Sequence, residues 1–471
     1  MNDNTLRFIN YLGFKMDCLR GQEANPLTLD VAKCEDYLNQ LETMKGEKVE
    51  ALKEAMPKNP ITKKKEKPKV IYKADGSLSK HGETWFALLR ELKLPDDTAG
   101  PVTYVDSYED GNPNSTEQVK QWLFSLGWEP RTWKFIRNKN TGEERKIEQV
   151  RKSGHLCPSV LELVSRDKAI ELLDGLTVIS HRIGVLKGFL NNERNGKVVA
   201  GAGGFTNTLR LQHRAPVVNL PGVEAAYGEW CRGVLVAPSE DTVLCGADVS
   251  SLEDMTKRHY IKPLDPEFVN DMSREGYDAH LDLALHAGAV TQEDIDKHNA
   301  GEINLKSLRS KYKAANYSCV YGVGAPKLAR ETGMKEKEAK ALIDAYWDRN
   351  WAVKKVAKGQ YVKTLKDGSM WLKNSVSGFY HNLRFDKDRW STTNQSTGVY
   401  VFDLWVGFCR AMGLEISMQY HDEILFTVKK GDEDHVSKIL YEAMKKVNER
   451  LKLNVTIEIE EQYGLSYASV H

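Results

Sequence analysis

Residues 309–324 read RSKYKAANYSCVYGVG. Arg309, Lys313, Tyr317 and Tyr321 recur every four residues, so on an α-helix they stack along one slowly drifting face. That face carries two cations at one end and two phenol rings at the other. It stops at Gly322 and Gly324, residues that suit a helix end. Arg holds phosphate as a fork and Lys as a point charge, and aromatic rings stack on bases. The stripe is what a helix gripping a nucleoside triphosphate needs. Taken alone, it favours the plainer reading of an amphipathic helix with a solvated basic end and a tyrosine-lined core edge. The flanking chain decides between them.

In bulk that chain is ordinary. Its 471 residues are 41% hydrophobic and 28% charged, enough for two or three domains with sizeable cores. A net charge of +1 gives no global basic signature, so nucleic-acid binding has to come from local patches. Residues 57–80 hold eight Lys against Glu66 and Asp75, a net of +6. Residues 131–152 hold eight Lys or Arg against three Glu, a net of +5, whereas residues 411–471 carry eleven acids and seven bases, a net of −4. Seven scattered cysteines with no CxxC pair argue against a zinc site or disulfide framework and point to a reducing, cytoplasmic setting. There is no signal-peptide pattern, and the most apolar run, 399–409, is short and interrupted by Asp403. No membrane span is expected.

Along the chain, residues 1–26 form a lead-in with little periodicity. Mixed three- and four-residue apolar steps predict a helix over 27–56, ended by Pro57 and Pro60. The lysine-rich segment 57–80 is expected as an exposed loop or small hairpin. A short amphipathic helix is expected at 85–92, an acidic loop at 106–113 and a capped helix at 115–127. Long helices are expected at 160–174 and 176–190. Residues 27–190 thus read as a mostly helical domain with basic tips, suited to a clamp over a polyanion or simply solvated. Beyond Gly201 the pattern changes. TVLCGA at 242–247 reads as a buried strand ending at Asp248, and 250–260 as a helix. Residues 265–394 are again mainly helical. A helix at 399–412, strands at 414–420 and 424–428, a helix at 434–451 and a strand at 454–460 close the chain.

Asp248 and Asp422 each stand where an apolar strand meets a break. Singly each reads as a polar turn residue. If both strands belong to one sheet, the carboxylates converge, and such a pair can bind two divalent ions, one at an attacking oxygen and one at a leaving oxygen. Mg2+ is the expected ion, since it favours carboxylates completed by phosphate oxygens and water.

In order, the chain offers an Asp at a strand end, the Arg/Lys/Tyr helix, and a hairpin bearing His-Asp-Glu. DVSSLE at 248–253, RSKYKAANYSCVYG at 309–322 and QYHDE at 419–423 resemble motifs A, B and C of the family A (Pol I-type) DNA polymerases, most closely the replicative enzymes of bacteriophages. TLR at 208–210, NLPG at 219–222, DAH at 278–280 and NQSTG at 394–398 add to the likeness, which covers roughly residues 27–471. The resemblance implies an α+β right-hand fold with thumb 27–190, a palm built on an antiparallel sheet from 191–264 and 395–471, and helical fingers 265–394. It implies primer–template DNA and dNTPs as partners and two Mg2+ ions as cofactors. By that likeness Asp248 and Asp422 are the metal-binding aspartates, with the Val249 carbonyl as a further ligand and Glu423 as an accessory carboxylate. Arg309, Lys313 and His280 match triphosphate contacts, and Tyr317 the ring beside the incoming sugar. Tyr321 matches the ring at the template–primer end. Glu253 matches the steric gate that crowds the 2′ position. Arg210, Gln395 and His421 match residues at the minor groove or primer end.

There are departures. Met255 stands where the family usually has Arg, and reads as a core-facing helix residue. Ser318 replaces a usual Gly, and Ser391 a usual Asn, with Asn394 nearby. A 3′–5′ exonuclease domain would precede residue 27. Proofreading is therefore expected to be lacking, supplied by a separate polypeptide, or cut from this sequence. The lysine-rich segment falls where some phage relatives bind a processivity factor, but it carries no matching motif, and a solvated loop touching DNA is expected instead. Glu253 argues against a single-subunit RNA polymerase. A reverse transcriptase on the same fold remains an alternative. A catalytically silent DNA-binding subunit would have no use for Asp248, Asp422, Lys313 and Arg309 together.

Overall fold

The structure, a computed structural model, describes residues 3–138, 141–152 and 154–470. It divides into two compact units, one formed by Met1–Cys34 with Lys187–His471 and the other by Glu35–Leu186.

In the larger unit, the lead-in with little periodicity carries the helix α1 (Asp3–Ala24). Its sequence signal is weak because polar residues sit on its buried face, Lys15 and Gln22 beside Cys18. Lys15 Nζ donates to Asp403 Oδ2 at 2.6 Å with both side chains 3% exposed, and the Tyr11 hydroxyl donates to the same carboxylate. Asp403, which interrupts the most apolar run, is therefore the buried anchor of α1.

Strand β1 (Thr242–Val249) leads into helix α2 (Leu252–Ile261), and helices α3 (Ala279–His286), α4 (Lys306–Val320) and α5 (Ala325–Thr332) follow. Helix α6 (Arg389–Ala411), strands β2 (Met418–Tyr420) and β3 (Glu423–Lys429), helix α7 (Glu433–Leu451) and strand β4 (Ile459–Gly464) complete the unit's main frame. The four strands form one antiparallel sheet in the order β2-β3-β1-β4. Because side chains alternate across a strand, Val243, Cys245, Ala247 and Val249 of β1 and Ile424, Phe426 and Val428 of β3 share one face. They pack there with Trp405, Val406 and Cys409 of α6 and Leu440, Ala443 and Val447 of α7. Asp248 and Glu423 point to the opposite face. Met255 packs against the same core, as its sequence context implied.

Two strands start later than expected. The strand expected at 414–420 begins at Met418. The one expected at 454–460 begins at Ile459, because Asn448 takes both backbone groups of Ile457, at 2.9 Å each.

The unit Glu35–Leu186 has a core around Leu52, Trp122, Leu123, Trp128, Val160, Ile170 and Leu173. It is less helical than its periodicity suggests. The lysine-rich stretch supplies a strand, Asn59–Lys65, paired antiparallel with Val102–Glu109, part of which was expected as an acidic loop. The basic and acidic runs face each other across the strands: Lys63 pairs with Asp106 at 2.8 Å, and the neutral Asn59 amide donates to Glu109 at 2.9 Å. A second hairpin joins Trp133–Arg137 to Glu144–Glu148 in the basic segment 131–152, of which Lys139 lies outside the described residues. The helix expected over 160–174 is broken into short turns, Pro158–Leu161, Glu162–Ser165 and Lys168–Leu173. Asp167 accepts from Ala169 N at 2.9 Å and restarts the chain there. No helix among the described residues is long and apolar enough to cross a membrane.

Candidate active site

The pairing of β1 with β3 brings the two aspartates to one end of the sheet. Asp248 lies opposite Glu423 across that ladder, and the Val249 amide donates to the Asp422 carbonyl oxygen at 3.1 Å. Both aspartates line a cavity of about 620 Å³ together with Glu423, Glu460, Gln462, Arg232 and His421. Asp248 is also opposite Glu460 of β4. Glu423, Asp248 and Glu460 therefore form a row of three carboxylates on one sheet face. Like charges directly opposite one another destabilise a sheet unless a cation relieves them. Among the described residues no group of three or more His, Cys, Asp or Glu is arranged to hold an ion. Two aspartates and a backbone carbonyl are hard oxygen donors that suit Mg2+ and leave room for phosphate and water oxygens. That donor set fits the expected ions.

Glu423 is buried, and the Tyr467 hydroxyl donates to its Oε2 at 3.0 Å. Arg232 stacks on the Tyr467 ring at 4.5 Å, and its Nε donates to Pro221 O at 2.7 Å, so the NLPG turn helps to hold it. The same turn receives Tyr420, whose hydroxyl accepts from Leu220 N at 3.1 Å. His421 sits in the left-handed region at φ 63°, a conformation open to few residues, with its ring 5.3 Å from His213. Burial, followed by the nearby Arg210, pushes the His421 pKa below its ordinary value. Arg210 Nη1 lies 4.0 Å from Glu253 Oε1.

The stretch 309–324 is helical over Lys306–Val320, and Tyr321 forms its C-cap ahead of Gly322 at φ 68°. Tyr317 and Tyr321 are exposed. Tyr312, Ala315 and Cys319 form its buried face, so the basic and aromatic stripe is the outward one. Lys313 Nζ lies 5.9 Å from the Tyr317 ring, and the His280 ring stands 5.9 Å from it. Gln395 Nε2 donates to the Tyr321 hydroxyl at 3.5 Å. Glu253 lies in the first turn of α2.

Three residues join the site without a motif role of their own. Asp278 caps α3 by accepting from His280 N and Leu281 N, at 2.8 and 3.0 Å, and receives Arg309 Nε at 2.5 Å. Burial works to raise its pKa, but those amides and Arg309 outweigh it and the value falls below the ordinary one. The DAH likeness, with Asp at an N-cap, was the available signal. Asn316 reaches Ala279 O at 2.8 Å and His280 Nδ1 at 3.0 Å. Glu460 had no local signal, since only strand register aligns it with Asp248. The other two of the three departures also find places. Ser318 Oγ donates to Glu331 Oε2 of α5 at 3.0 Å. Asn394 turns inward to α2, and so does not replace the missing Asn near Ser391.

This combination of an antiparallel carboxylate sheet and a basic-aromatic helix agrees with the family match: the model for DNA polymerase family A fits residues 102–377, more than half of the chain. The chain belongs to DNA polymerase family A. DNA polymerase I of Streptococcus pneumoniae serotype 4 is 24% identical over 404 residues, covering 82% of this chain and 43% of that protein. The thermostable DNA polymerase I of Thermus filiformis is 23% identical over 371 residues, covering 75% of this chain and 41% of that protein. The chain thus spans less than half the length of these relatives. The POL domain of Pol1 from M. smegmatis, solved in complex with DNA primer-template and dNTP, superposes with a TM-score of 0.65 at 19% identity. That match covers 97% of this chain and 70% of that one. The fold, mixed helix and antiparallel sheet, is a polymerase fold.

Proposed function

We propose that the chain extends the 3′ end of a primer along a DNA template with dNTPs, by two-metal-ion nucleotidyl transfer. The observation that carries this reading is the convergence of Asp248 and Asp422 on one cavity through the β1–β3 register. Asp248, Asp422 and the Val249 carbonyl would hold the ions. When bound, two Mg2+ ions supply activation of the primer oxygen and charge neutralisation at the leaving oxygen. Glu423, tied to Tyr467, is the accessory carboxylate behind them. Arg309, Lys313 and His280 receive the triphosphate, with Arg309 oriented by Asp278. The primer 3′ oxygen displaces pyrophosphate from the α-phosphorus, and the Arg309 and Lys313 cations take up the charge gathering on the leaving phosphates.

Tyr317 lies beside the sugar, Glu253 crowds its 2′ position, and Tyr321 stacks at the template–primer end. Gln395, Arg210 and His421 contact the primer or minor groove, where the acceptors are alike for all base pairs. In this reading 191–264 with 395–471 is the palm, 265–394 the fingers, and 27–190 the thumb, whose basic segments hold duplex DNA. On the motif likeness the role assigned is phage genome replication.

Primer extension on DNA and RNA templates, with dNTPs or rNTPs, tests the reading. Asp422→Asn is expected to abolish extension while DNA binding survives. Retained extension would remove the two-metal assignment.

A further inference from the structure

The first turn of α2, which carries Glu253, is anchored from the side. Ser251 occupies its N-cap in the left-handed region at φ 49°, and its side chain makes no capping hydrogen bond. The anchor comes from α6. Asn394 Nδ2 donates to the Glu253 carbonyl oxygen at 2.9 Å, and Thr256 Oγ1 lies 2.9 Å from Asn394 Oδ1. The Thr256 hydroxyl has one proton to give. Its other acceptors, the Leu252 and Glu253 carbonyls at 3.0 and 3.1 Å, belong to the helix itself. The buried amide oxygen of Asn394 is the acceptor that leaving unsatisfied would cost most. Thr256 is fully buried and Asn394 nearly so. One turn along α6, Gly398 makes room for the same turn of α2: a Cβ there would stand 3.3 Å from Leu252 Cγ.

The Glu253 side chain is the opposite case. It is 57% exposed, and its charged neighbour Arg210 stands 4.0 Å away, beyond hydrogen-bond range. Its position is therefore inherited from its backbone. A gate that works by exclusion is sensitive to displacements well under the size of a hydroxyl.

We propose that Asn394, braced by the Thr256 hydroxyl, is the positioning residue that sets Glu253 against the sugar of the incoming nucleotide and thereby tunes deoxyribose-over-ribose selection. This rests on the reading of Glu253 as the gate. Asn394 is buried and acts only through the α2 backbone.

The test is the ratio of kcat/KM for a dNTP to that for the matching rNTP, measured with Thr256→Val, Thr256→Ser, Asn394→Leu and Glu253→Ala, alongside thermal unfolding of each. Asn394→Leu and Thr256→Val are expected to lower the ratio by about three- to tenfold, the scale of one buried hydrogen bond. Thr256→Ser, which keeps the hydroxyl, holds the wild-type ratio. Thr256→Val is close to isosteric, so a folding failure of Asn394→Leu leaves the test standing. If both variants melt earlier yet keep the wild-type ratio while Glu253→Ala loses it, Asn394 is merely structural and the proposal falls alone. If Glu253→Ala itself keeps the ratio, the gate reading falls and the proposal with it.

Discussion

Arg309 donates its Nε to Asp278 Oδ2 at 2.5 Å, so the cation that opens the α4 stripe is held by the cap of α3. One carboxylate thereby orients the guanidinium and also the helix turn bearing His280. Asp278→Asn keeps an acceptor for the cap but removes the charge. The expected result is a rise of about three- to tenfold in KM for dNTP with a smaller change in kcat, the scale of a weakened charged hydrogen bond. Steady-state primer extension reads it, and an unchanged KM would show that the pair does not preorganise the site.

The Lys15–Asp403 pair predicts how firmly α1 is attached. Both groups are buried, so removing one leaves the other charged and uncompensated. Lys15→Met is expected to cost about 3–5 kcal/mol of stability, read from urea unfolding. Replacing both with apolar residues should recover much of it. A single-variant loss near zero would mean that α1 contributes little to the fold.

Ser318 and Glu331 clip α4 to α5 beside the turn containing Tyr321 and Gly322. In that turn Val323 N donates to Ser318 O at 3.2 Å. Ser318→Ala removes the clip without adding glycine's backbone freedom. Amide hydrogen exchange at 321–323 is expected to quicken by up to about tenfold, equivalent to one modest hydrogen bond. Exchange at the wild-type rate would show that the corner is held by other contacts.

His213 carries a pH signature. Burial, then His421 and Arg210, push its pKa down to about 4 from an ordinary 6.5. The unfolded chain therefore binds a proton that the folded chain refuses between these values. Its contribution to stability is complete above pH 6.5 and is lost as the pH falls toward 4. Over pH 5–6.5, where most carboxylates stay ionised, His213→Asn should flatten the dependence of the unfolding midpoint on pH. An unaltered slope would place the titration elsewhere.

Much of the frame around the site was legible because its signals are local. The run TVLCGA ahead of Asp248 and the apolar residues after Glu423 announce buried strands within a few residues. The four-residue spacing of Arg309, Lys313, Tyr317 and Tyr321 announces one helical face, and the structure turns that face outward. The order of the three motifs then carried the family. Where local signals are mixed, the elements are not legible in the linear chain. Helix α1 buries Lys15 and Gln22, so an apolar periodicity cannot find it. The lysine-rich stretch reads as a loop or small hairpin; a bridge between Tyr72 and Leu78 closes a small turn there, but the strand at Asn59–Lys65 is not legible until its acidic partner strand is known.

The sequence by itself determined which residues are candidates for the chemistry: two aspartates at strand ends, a cationic and aromatic stripe, and a glutamate at the head of a helix. Only the tertiary structure decided their company. The antiparallel register of β1 with β3 and β4 sets Asp248 beside Glu423 and Glu460, and a slip of one residue would turn Asp248 into the core. The packing of α2 on α6 makes Asn394 a support for Glu253, and the cap of α3 makes Asp278 a partner for Arg309. Helical and strand periodicities are written within one element and survive in the linear chain. Register, crossings and buried pairs are written between elements far apart in sequence, and folding is what brings them together.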